Sequence, residues 1–226
     1  MKKKIGLVLG LLIVFAGLAH LDISRSQPAL KQATAQTTTK VKHSARSSKT
    51  PAKKNNAGRI LIVFFSRSGT NYPDTTLKIG HTQRIANEIA RVTGGTKYEI
   101  VAAKAYPKNY QATVDRAEKE QQRDARPAIK QPLPDISKYD TIFIGYPIWW
   151  SDLPMPVRTF MDNVDMNGKT VIPFSTNAGS GWGDTLSTLK QQYPKATFKK
   201  GFSIEGTQAD HAQKKIDRWL RQLGYR

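Results

Sequence analysis

Two kinds of apolar spacing alternate along the chain. Residues 60–65 and 141–146 form compact apolar runs rich in β-branched and aromatic side chains, and strand-like stretches recur at 96–101, 169–174 and 198–204. A run of this kind fits a strand buried on both faces, as in a parallel sheet. Between these runs the spacing becomes helical. Ile85, Ile89 and Val92 share one face, as do Ile216, Trp219, Leu220 and Leu223 within 209–223. Polar helix formers fill 110–123. Segment 154–164 carries Pro near its first turn, where no N–H is missed, and another helix follows Gly183 as far as Gln192. Three prolines mark 126–138 as a loop. Strands alternating with helices predict an α/β fold, a doubly wound five-stranded parallel sheet in three α/β/α layers, spanning 59–226.

The first 58 residues follow a different pattern. Lys2, Lys3 and Lys4 precede an uncharged apolar run at 5–21, so residues 1–21 read as a signal peptide or an N-terminal membrane anchor. The run is slightly short for a comfortable bilayer span and slightly long for a signal core. No Cys follows it, which excludes a lipoprotein anchor. The positive-inside rule keeps Lys2–Lys4 cytoplasmic and exports the remainder, giving an extracytoplasmic protein, anchored or secreted. Residues 22–58 are rich in Ser, Thr, Ala, Gln and Lys with almost no large apolar side chain, and are expected to be a disordered basic linker.

Charge sharpens this division. The formal net charge is +19, and residues 1–58 contribute +10 of it from 11 Lys or Arg against one Asp. Such a tail suits an anionic membrane or cell-wall surface as well as nucleic acid, and no specific nucleic-acid motif accompanies it. The absence of cysteine excludes disulfides, thiolate metal sites and a Cys nucleophile. No His cluster has metal-ligand spacing, and no catalytic Ser/His/Asp arrangement or paired carboxylate set stands out.

Ligands of doubly wound sheets sit at the carboxyl ends of the strands, and three loops there have a shared character. The first strand ends in Ser66-Arg67-Ser68-Gly69-Thr70, and Gly80-His81-Thr82-Gln83 opens the next helix. Hydroxyls, backbone N–H groups and a helix N-terminus together suit a phosphate. The third strand runs into Pro147-Ile148-Trp149-Trp150-Ser151, with two adjacent indoles. The fourth runs into Ser175-Thr176-Asn177-Ala178-Gly179, a glycine-rich loop offering backbone donors and acceptors. The combination suits a flat aromatic ligand bearing a phosphate.

In this combination the chain resembles the flavodoxins, in particular bacterial flavodoxin-like proteins with an insertion in the phosphate loop. The resemblance covers 59 to about 225. It implies FMN as cofactor. Ser66, Ser68 and Thr82, with the N–H groups of Gly69, His81 and Gln83, would hold the phosphate. Pro147, Ile148, Trp149 and Trp150 would pass along the ring, with one indole stacked on it. Ser175, Thr176, Asn177, Ala178 and Gly179 would line the pyrimidine edge. Arg67 and His81 either offset phosphate charge or contribute a solvent-facing side chain and a bare N–H. Segment 70–79 interrupts the compact loop and departs from the family pattern around Thr70 and Asn71. Ser151 stands where flavodoxins carry a Gly beside a peptide that turns over on flavin reduction. A positive φ at Ser151 is therefore expected only after such a turn, at a cost of roughly 1–2 kcal/mol.

The resemblance implies an electron-transfer protein whose partner is a redox protein or a small quinone or nicotinamide donor. Two alternatives are an FMN-dependent NAD(P)H/quinone oxidoreductase and a flavin-free module that binds anionic surface polymer through its tail.

Overall fold

The computed structural model describes residues 59–226; the expected signal or anchor segment and the basic linker lie outside the described residues. Strand β1 (Ile60–Phe64) is followed by a hairpin, β2 (Gly69–Asn71) with β3 (Thr75–Leu77), and then by helix α1 (His81–Thr93). Next come β4 (Thr96–Glu99), α2 (Tyr110–Gln122), β5 (Thr141–Pro147), α3 (Met155–Asn163), β6 (Thr170–Asn177) and α4 (Thr185–Gln192). The chain closes with β7 (Thr197–Phe198), β8 (Phe202–Glu205) and α5 (Gln213–Gln222).

The main sheet is parallel, in the order β4-β1-β5-β6, with β7 and β8 both paired to the outer side of β6. This is a doubly wound sheet whose order reverses beside β1. Strand β1 is fully buried, and its side chains alternate between two cores. Ile60, Ile62 and Phe64 meet α1 and α5 through Ile85, Ile89, Ile216 and Leu220. Leu61 and Val63 meet the opposite layer through Val157, Phe160 and Leu189. A Cβ on Gly145 would come within 2.0 Å of the Phe174 ring, so the ring of this cross-strand neighbour can lie over β5 only with glycine there.

Three elements differ from the sequence expectation. The polar insertion is an antiparallel hairpin in which Gly69 faces Leu77 and Asn71 faces Thr75. Its strands are short and polar, so no period-two apolar signal marks them. The last strand is broken at 199–201, where a Cβ on Gly201 would stand 2.7 Å from both the Pro173 carbonyl and the Trp182 ring. The closing helix is preceded by a separate 3₁₀ turn at Gly206–His211.

Candidate functional site

The loops leaving the carboxyl ends of β1, β5 and β6 enclose a cleft of about 580 Å³. From the first loop, Ser66, Arg67, His81 and Thr82 line it. Pro147, Ile148, Trp149 and Trp150 line it from the second, and Thr176, Asn177 and Ala178 from the third.

The first loop closes directly onto the start of α1. Gly80 is the cap residue and carries no capping side chain, and the first turn holds no acidic residue. Ser66 Oγ accepts the Gln83 N–H at 3.1 Å, so one first-turn donor is capped from the end of β1. A Cβ on Gly80 would lie 2.3 Å from Ser66 Oγ and 2.4 Å from the Arg67 carbonyl, which is why this approach needs glycine. Buried Thr82 and Thr176 share a hydroxyl hydrogen bond of 2.8 Å, joining the first loop to the third at the cleft floor.

Arg67 points its guanidinium at the backbone. It donates to the carbonyls of Thr70 (2.7 Å), Pro107 (3.0 and 3.2 Å) and Lys108 (2.7 Å). Thr70 turns the same way: its hydroxyl donates to the Lys108 carbonyl and accepts the Tyr110 N–H. Together they fasten the hairpin to the loop before α2. Ser68 is exposed, and neither it nor Gly69, Thr70 or Gln83 lines the cleft. Burial lowers the Arg67 pKa. Burial, reinforced by Arg84, lowers that of His81. Both ring nitrogens of His81 are buried without a hydrogen-bond partner.

The two indoles have different settings. Trp149 stands edge-on to Phe65 (5.3 Å between centroids) and Tyr106 (5.1 Å), which fix its ring against the core. Trp150 is 47% exposed, and its Nε1–H donates to the Val114 carbonyl at 3.3 Å. Trp149 and Asp152 exchange two backbone hydrogen bonds, 3.0 and 2.9 Å, around Trp150 and Ser151. Both turn residues have positive φ, +47° and +62°, the signature of a type I′ turn. This corrects the expectation for Ser151: positive φ is already its resting conformation, held by the Asp184 N–H bonded to the Ser151 carbonyl at 2.7 Å. Ser151 itself stands outside the cleft lining.

In the third loop the polar side chains hold the scaffold. Buried Ser175 donates to Ser203 Oγ at 2.8 Å. Asn177 donates to Ser203 Oγ and the Ile204 carbonyl, and accepts the Gly179 N–H. Ser175 and Gly179 do not line the cleft. Trp182, another indole of this loop, packs with the α3 and α4 core.

Three contributors escaped sequence reasoning. The hairpin brings Asn71, Tyr72 and Pro73 to the rim, α2 brings Tyr110, Thr113, Val114 and Ala117, and the end of β8 brings Glu205, Gly206 and Thr207. Tyr72-Pro73-Asp74 is a legible turn signal; the α2 face carries no local mark. Among the described residues no group of His, Asp or Glu has the arrangement of a metal site.

A family model for flavodoxins matches residues 59–223. The chain belongs to the flavodoxin family. Its fold is shared with a crystal structure from Bacteroides uniformis assigned as a flavoprotein, at 32% identity and a TM-score of 0.60, covering 73% of this chain and 99% of that one. A second, from Bacteroides eggerthii, is 33% identical with a TM-score of 0.57, covering 72% and 96%. A flavoprotein of Lactobacillus acidophilus, solved in complex with FMN, has the same fold at 22% identity and a TM-score of 0.51, covering 69% and 98%. No curated protein matches the sequence. This flavodoxin's cleft fits a flavin phosphate in the chemistry of its donors: a helix N-terminus without an acidic residue, adjacent hydroxyls and an imidazole whose two nitrogens lack partners.

Proposed function

We propose that this flavodoxin binds FMN and transfers electrons outside the cytoplasmic membrane, either tethered or released. One observation carries the FMN reading: a single cleft combines hydroxyl donors at the start of α1, a core-anchored indole and the backbone-rich loop after β6. A relative of the same fold holding FMN supports it. Bound FMN supplies the redox chemistry, and the chain binds and orients it. Ser66 and Thr82 hold the phosphate end, Trp149 presents a fixed ring beside the flavin, and Thr176–Ala178 border its polar edge.

The direct test is the visible spectrum of the purified protein, with the released chromophore identified by chromatography. Oxidised-flavin bands and FMN are expected; a colourless protein that takes up no added flavin would refute the reading and favour a flavin-free module. The export reading rests on Lys2–Lys4, the apolar run and the basic segment after it. Protease added to wall-stripped cells should degrade the domain, and full protection would overturn it. The basic segment would then face an anionic membrane or wall polymer.

A second reading, an NAD(P)H/quinone oxidoreductase, draws on the aromatic rim. Tyr72, Tyr110 and Trp150 are 57%, 40% and 47% exposed on the same cleft, offering surfaces for a second planar molecule. Steady-state turnover with NADH and a quinone separates this enzyme from a carrier that exchanges electrons only with a protein partner.

A further inference from the structure

We infer that His81 is the proton-binding ligand of the flavin phosphate, so that FMN, unlike riboflavin, is bound together with a proton. The inference rests on the FMN reading and adds a specificity residue to it. His81 is the first residue of α1 and lines the cleft beside Ser66, Arg67 and Thr82. Its ring is pressed against Gly206, where a Cβ would come within 2.6 Å of Cδ2. Glycine there leaves room for the ring, and both Nδ1 and Nε2 are buried without a partner. A neutral imidazole carries one donor and one acceptor, and buried polar atoms of this kind are ordinarily paired. An anion in the cleft reaches a nitrogen only when the ring turns on binding, and it then satisfies the donor.

Competition from other cations is small. Among the described residues, Arg67 and His81 are the basic groups lining the cleft. All three guanidinium nitrogens of Arg67 already donate, in four hydrogen bonds to the carbonyls of Thr70, Pro107 and Lys108. That leaves His81 as the basic lining group with unengaged nitrogens. Of the ionisable groups nearby in the fold, Arg84 lies on the same helix, Glu205 and Arg67 line the same cleft, and Asp210 and His211 belong to the 3₁₀ turn that follows β8. Arg84 is paired with Asp210. Burial and, secondarily, Arg84 lower the pKa of the ring in the flavin-free protein. A phosphate dianion beside it reverses the balance, because a nearby opposite charge favours the protonated ring. Riboflavin lacks the phosphate and cannot produce this effect.

The test uses the full chain. Dissociation constants for FMN and riboflavin are measured by fluorescence quenching from about pH 6 to pH 8.5, for wild type and His81→Gln. One proton taken up on binding weakens FMN affinity by up to about tenfold per pH unit as pH rises. The phosphate's own second ionisation, near pH 6, affects both proteins alike. The expected result is an FMN slope in wild type that is reduced in His81→Gln, with riboflavin flat in both. An independent reading needs no variant: the imidazole NMR resonance that responds to FMN should have a higher titration midpoint in the complex than in the flavin-free protein. Equal FMN slopes in the two proteins, a riboflavin slope matching that of FMN, or no imidazole midpoint raised by FMN would overturn the inference. Flavin binding with any of these results sinks this inference alone; no binding of either flavin sinks the FMN reading as well.

Discussion

Arg67 donates to the carbonyl of Lys108 at 2.7 Å, a contact spanning 41 positions that ties the loop after β1 to the entrance of α2. With the further bonds to Thr70 and Pro107, it makes one guanidinium the fastening of the hairpin that carries Tyr72 and Pro73 to the cleft rim. Lysine retains the charge but not the planar fork. Arg67→Lys is therefore expected to lower stability by about 1–3 kcal/mol, measured by denaturant unfolding. It should also weaken FMN and riboflavin to similar extents. A loss confined to FMN would mean that Arg67 acts on the phosphate and not on the hairpin.

Ser66 and Ser68 are two residues apart but differently placed. Ser66 lines the cleft and caps Gln83, whereas Ser68 is exposed outside it. Ser66→Ala should reduce stability by about 0.5–2 kcal/mol, as loss of a helix cap does. It should also weaken FMN more than riboflavin. Ser68→Ala should leave both quantities near wild type. Thermal melts and flavin titrations of the two variants, run in parallel, check the contrast.

The turn at Trp150 and Ser151 predicts a gain in stability. Ser151 rests at φ +62°, where a Cβ is unfavourable and glycine is at ease. Offset by the greater freedom glycine gives the unfolded chain, Ser151→Gly should stabilise by about 0.5–1 kcal/mol. Ser151→Val should destabilise. A melting temperature unchanged or lowered in the glycine variant would show that the resting turn is not the one described.

His81 also makes a prediction for the flavin-free protein. Its folded pKa is lowered by burial and by Arg84, so the unfolded chain binds the proton more readily. Its contribution to stability is therefore present above the ordinary imidazole value, about 6.5, and is lost as pH falls through and below it. Wild type should lose more stability than His81→Gln between about pH 7.5 and pH 5.5. Parallel urea melts at the two pH values measure the difference, and equal losses would contradict the burial of the ring.

The domain boundary makes the last prediction. Residues 59–226 hold the six-stranded sheet, the hairpin and the cleft described above. A chain beginning at Arg59 should unfold cooperatively and take up FMN with the full protein's affinity. Circular dichroism and flavin titration test both parts, and an unfolded product would move the boundary towards the N-terminus.

The sequence by itself determined the layered architecture. Ile60–Phe64 and Thr141–Tyr146 leave so little polar surface that they belong between two helical layers, and Ile85 with Ile89 marks the face on which α1 packs. It also determined which loops meet, because a doubly wound sheet brings the carboxyl ends of adjacent central strands together whatever the loops contain. Ser66, Thr82, Trp149 and Thr176 were legible for that reason. Tertiary structure alone decided where individual side chains turned. Arg67, Thr70 and Asn177 satisfy backbone or side-chain partners supplied by distant segments, and Trp149 is fixed by Phe65 and Tyr106. The hairpin strands are too short and polar to carry a periodic signal, and α2 shows no local sign that Tyr110 and Thr113 face the cleft. Hydrophobic periodicity reports which face of an element is buried; the partner of a polar group is set by whatever the completed fold places within hydrogen-bond reach.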